Sequence, residues 1–66
     1  MNEIDIWRTA HLLIKQYGED AVSAAAGRAD AMFATGDKLG GAIWLQIVRA
    51  IGDFERRRPR AGEAVN

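Results

Sequence analysis

Between Gly40 and Phe54 the chain places Trp44, Ile47, Val48, Ile51 and Phe54, the densest set of large apolar side chains in its 66 residues. At about 3.6 residues per turn, Trp44, Ile47, Val48 and Ile51 fall in one stripe of a helix. Ile43, Ala50 and Phe54 widen that stripe on one side, and Leu45 lies on the other. An apolar arc this wide needs more than one neighbour. The stretch therefore predicts the third of three helices, buried by several partners from this chain or from a second copy.

The preceding sequence supplies two such partners. Ile6, Trp7, Ala10, Leu13, Ile14 and Tyr17 recur at spacings of three and four, with Arg8, Lys15 and Gln16 opposite, which predicts an amphipathic helix over 3–17. Asn2 can cap it, Glu3 and Asp5 suit the positive end of its dipole, and Gly18 can stop it. A second helix is predicted over 20–34, capped by Asp20, with Val22, Ala25, Ala26, Ala29, Met32 and Phe33 on one face and Gly27 on the solvent side. Its alanines allow close approach of the helix axes. Thr35 and Gly36 end it, and Asp37 caps the third helix, predicted over 38–56.

Connections this short make successive helices antiparallel neighbours. The expected fold is all-α, a three-helix up-down-up bundle over 1–55 with a disordered, arginine-rich tail over 56–66. The expected core is Trp7, Ala10, Leu13, Ile14, Tyr17, Val22, Ala25, Ala29, Met32, Phe33, Trp44, Ile47, Val48 and Ile51. A body of roughly 55 residues only just offsets its chain entropy by burial, so a staple or a partner is expected. Without cysteine, and with His11 as the one histidine, neither a disulfide nor a zinc cage can serve, which leaves self-association.

Residues 1–55 hold five basic and eight acidic side chains, while 56–66 hold Arg56, Arg57, Arg58 and Arg60 against Glu63. Such a body is a poor footprint for nucleic acid, so any such binding falls to the arginine tail. Lacking interleaved aromatics, the tail would bind weakly and salt-sensitively. The second helix exposes Ser23, Ala24, Gly27, Ala31 and Ala34, none suited to reading base edges. The acidic start is unlike a secretory signal, and the longest charge-free run, Leu39 to Val48, is about half a membrane span. A cytoplasmic protein that binds no membrane is expected.

With Trp7, the run Tyr17 to Ala21, Arg28-Ala29-Asp30, Asp37 to Gly40, and Trp44 to Ile51 placed on these helices, the chain resembles a family of short bacterial proteins known only as a domain of unknown function. The resemblance covers the body and excludes the tail. It implies a compact helical protein and carries over no catalytic residue.

The polar residues offer little chemistry. Arg28 and Asp30, about 200° apart, flank the apolar stripe, where Arg28 is expected to pair with a carboxylate and Asp30 to accept a bond from a neighbour such as an indole N–H. The segment Gly36 to Gly41 is glycine-rich and holds Lys38, but it lacks the Gly-Lys-Ser/Thr order of a phosphate loop, and Asp37 would occupy the amides. His11 has no second ligand and no nucleophile to serve. No catalysis, cofactor, metal or small-molecule substrate is expected. Leu12, Leu39, Ile43 and Leu45 are left over, and they predict an interface: a helical interaction module, homodimeric or bound to another protein, with nucleic-acid binding by the tail as the alternative.

Overall fold

The computed structural model describes residues 2–57, and all of its regular structure is helical. Helix α1 spans Glu3–Tyr17, a single 3-10 turn spans Gly18–Asp20, α2 spans Ala21–Ala34 and α3 spans Lys38–Arg57. At the first junction the chain leaves helical geometry at Gly18, with φ of 56° and ψ of −121°, and the 3-10 turn then runs directly into α2. Helix α3 reaches Arg57, so Arg56 and Arg57 belong to it and not to a tail, while Arg58 and Arg60 lie outside the described residues.

Each helix end has an identifiable cause. Asn2 is extended, and its Oδ1 accepts the Asp5 N–H at 3.0 Å. Gly18 closes α1 with φ of 56° while its N–H donates to the Ile14 carbonyl. Asp20 makes no side-chain cap, because the 3-10 turn joins α2 directly. At the other end of α2, the Asp37 N–H donates to the Met32 carbonyl at 2.8 Å and the Gly36 N–H to the Phe33 carbonyl at 3.0 Å. That pair of bonds is the Schellman closure, which Gly36 permits at φ of 83°. Asp37 then turns to the next helix, its Oδ1 accepting the Gly40 N–H at 2.8 Å. Gly40 is what makes room for this cap, since a Cβ there would sit 2.5 Å from the carboxylate.

One cluster forms the core: Ile6, Ala10 and Leu13 of α1, Ala21 and Ala25 of α2, and Ile47, Ala50 and Ile51 of α3. Ala21, Ala25 and Ala29, one turn apart, are wholly buried, so α2 presents α3 with a ladder of methyl groups into which Ile47 and Ile51 sink completely. Phe33 lies on the buried Gly41, where an added Cβ would come within 2.5 Å of the ring. Trp7, Ile14, Val22, Ile43, Trp44, Val48 and Phe54 are half-buried around the cluster. Met32 is likewise half-buried.

Tyr17 and Phe33, both expected in the core, are exposed. Tyr17 is the last residue of α1, beyond the reach of the core cluster. Phe33 covers a glycine from outside because the alanine ladder already fills the seam. Conversely, Ile6, Ala21 and Ala50 are buried though the expected core left them out, Ile6 having been placed on its helix's apolar stripe and Ala50 beside one. Small residues flanking a seam carry little weight in a periodicity reading dominated by large ones.

The two caps make contrasting demands. Asp37→Ala should lower the unfolding free energy by about 1 kcal/mol, and Asp20→Ala by less than about 0.5 kcal/mol, measured by urea denaturation followed by circular dichroism. Equal losses would mean that the two helix starts are secured alike.

Candidate functional site

Because Ile6, Ala10 and Leu13 turn to the core, the opposite stripe of α1 is set by Ile4, Arg8 and Leu12, again at spacings of four. Ile4 is 64% exposed and Leu12 is 58% exposed. Two apolar side chains are thus left facing away from the core on a helix whose other apolar face is fully used.

Phe54, on the penultimate turn of α3, joins this stripe. Its ring meets Trp7 edge to face, with centroids 5.0 Å apart and planes at 81°, and meets His11 at 5.8 Å with planes at 56°. Such edge-on packing places the positive ring edge against a π face and fixes both rings. Together Ile4, Trp7, Arg8, His11, Leu12 and Phe54 line an open groove of about 570 Å³ whose wall is almost wholly apolar. Trp7 also bounds a smaller, polar cleft on its other side, with Glu3, Gln46, Arg49 and Asp53.

The expected interface residues do not gather at one place. Leu12 lines the groove, but Leu39, Ile43 and Leu45 do not. Leu39 is 74% exposed in the first turn of α3, and Leu45 is exposed on the same helix. Ile43 is half-buried against the core cluster. Of the six residues that line the groove, Leu12 alone was among those expected at an interface. Ile4 had a readable signal, since it stands two helical turns from Leu12 with Arg8 midway. Phe54 had none, because only the docking of α1 on α3 decides which side of its ring is free.

The remaining polar candidates are accounted for locally. Arg28 pairs with no carboxylate among the described residues: its guanidinium lies over the Trp44 ring, 5.5 Å from the centroid. At an exposed site this cation–π contact contributes about 0.5–1 kcal/mol. Asp30 makes no hydrogen bond or ion pair among the described residues. In the last turns of α3, Arg56 pairs with Asp53 one turn back, so one of the four clustered arginines is held at an acid of its own helix. Among the described residues, no three His, Cys, Asp or Glu side chains are grouped as metal ligands would be. No described helix is long and apolar enough to cross a membrane.

Compared with known protein families, curated proteins and solved structures, the chain shows no match.

A groove built on exposed side chains is separable from the core by stability. Leu12→Ser should leave the unfolding free energy within about 0.5 kcal/mol of the parent. Phe54→Ala should lower it by about 2 kcal/mol, since it removes the contact that ties α1 to the end of α3. Both are read by chemical denaturation at low protein concentration, and the reverse order would place Leu12 in the core.

Proposed function

We propose that the chain is a small helical protein–protein interaction module that associates with itself, and that its helices form an up-down-up bundle whose exposed edge is the outer stripe of α1. The observation that carries this reading is the apolar groove bordered by Ile4, Trp7, Leu12 and Phe54. A domain with so small a core has every reason to keep apolar side chains inside, and exposed contiguous apolar surface marks binding surfaces. Covering one leucine or isoleucine contributes about 1.5–3 kcal/mol, a large share of the stability such a domain commands.

Several features favour this over catalysis. Arg8 and His11 are the polar residues of the groove, and neither has a nucleophile, a second acid or a base set against it. Of the expected interface residues, Leu12 on α1 is the one favoured here, because the groove gathers it with Ile4, Trp7 and Phe54 where Leu39 and Leu45 stand singly.

Light scattering coupled to size exclusion tests the reading. At about 100 μM the parent chain should run at twice its own mass, and Leu12→Asp should run as a monomer with unchanged helical circular dichroism. A parent chain that is monomeric at that concentration would sink the proposal.

A further inference from the structure

We propose that Gly18 is a latch. While it keeps its positive φ, α1 folds back on its own α3; when it turns helical, α1 and α2 merge into one rod and α1 docks on the α3 of a second copy. The groove on the outer face of α1 takes no part in this exchange, which therefore stands apart from the self-association proposed above.

The backbone of one glycine separates the two arrangements. Between Glu3 and Ala34, Gly18 is the residue with positive φ, at 56° with ψ of −121°. Tyr17 before it and Ala21 after the 3-10 turn both have right-handed helical dihedrals. Little else fastens the turn, since Gly18–Asp20 buries no residue and has no side-chain cap. Nothing in the sequence forbids a continuous helix either: no proline lies between Glu3 and Ala34. The Gly18 N–H already donates to the Ile14 carbonyl, a bond that a continuous helix would keep. Glycine sets the balance, because it takes positive φ freely and is a poor residue for a helix interior.

Straightening the turn strips α1 from its own body. Ile6, Ala10 and Leu13 leave the cluster they share with Ile47 and Ile51, and Trp7 leaves Phe54. Covering those side chains again requires another α3, and the α3 of a second opened copy has the matching surface bare. Two copies that trade α1 reciprocally satisfy each other about a two-fold axis. Every contact regained is one the closed chain already makes, so the trade needs neither a new complementary surface nor new charge pairs. Joining two chains costs entropy, which rising protein concentration offsets. Helix α1 is the element that moves, because α2 and α3 are fastened to each other by the Gly36 closure and the Asp37 cap.

Substitution at the latch, made in a Leu12→Asp chain so that the groove is blocked, tests the exchange. In Gly18→Ala the new methyl group disfavours positive φ and favours helix, so both effects promote opening. A Cβ at Gly18 meets nothing within 4 Å, so packing is left as it was. With each of the two hinges contributing about tenfold, the association constant from sedimentation equilibrium should rise about 100-fold over Leu12→Asp alone. Gly27→Ala, at a helical glycine with equally open surroundings, should change it by less than about threefold. In dimers mixed from isotope-labelled and unlabelled chains, filtered NOE spectra should show Trp7–Phe54 contacts between copies and Arg28–Trp44 contacts within one copy. A folded Gly18→Ala chain that stays monomeric at about 1 mM, or that dimerises with its Trp7–Phe54 contacts inside one copy, would overturn the latch. If circular dichroism shows Gly18→Ala to be unfolded, the Leu12→Asp chain refolded from urea at about 1 mM takes its place. Trp7–Phe54 contacts between its copies then support the exchange, and their absence overturns it. A parent chain found monomeric at about 100 μM sinks the groove dimer and leaves these outcomes unchanged.

Discussion

Three methyl groups decide how this chain is put together. Ala21, Ala25 and Ala29 are wholly buried and short enough to let α2 lie along α3, and Ala21 and Ala25 share the cluster in which Ile47 and Ile51 lose all contact with water. Larger residues on the ladder would push the axes apart and open gaps beside both isoleucines. Interiors tolerate such gaps poorly, at a cost that grows with the volume left empty. The rest of the architecture follows from the short distance. Gly41 is needed where Phe33 closes one end of the seam, and Arg28, carried on the flank of α2, comes to rest over the Trp44 ring.

A seam this narrow also explains why α3 remains partly bare. Helix α2 covers one side of it, and α1 covers its later turns, where Trp7 meets Phe54 and Ile6 joins Ile47, Ala50 and Ile51 in the core. The first turn, with Leu39, has no cover. The expectation that two modest neighbours cannot shield the third helix agrees with that exposure. The larger apolar surface nevertheless lies elsewhere. It arises because α1 is apolar on two faces, only one of which the core can take.

Helix positions, the Asn2 and Asp37 caps and the stops at Gly18 and Gly36 were legible because each rests on local chemistry that a few neighbouring residues specify. The buried status of Ala10, Leu13, Ala25, Ala29, Ile47 and Ile51 was legible from spacing alone. Periodicity ranks residues by size as well as by phase, however, so it overrated Tyr17 and Phe33, passed over Ala21 and left Ala50 at the edge of its stripe. Asp20 misled for another reason. It has the composition of a cap, but a 3-10 turn runs straight into α2 and leaves no extended residue to do the capping. The groove was half visible: Leu12 stood out, whereas the part played by Phe54 depends on how elements from opposite ends of the sequence meet.

Asp37 accepts bonds on behalf of one helix and donates to another, so α2 and α3 are tied together by residues that are close neighbours along the chain. Contacts of that kind form early, because little loop entropy is lost in making them. Helix α1 meets α3 through partners distant in the sequence, Ile6, Ala10 and Leu13 in the core and Trp7 on Phe54 beside it, so its docking is expected to follow the pairing of α2 with α3. The helix that bears the apolar groove is therefore also the one held by the most distant contacts, and amide exchange along α1 reports how often that packing is taken apart and rebuilt.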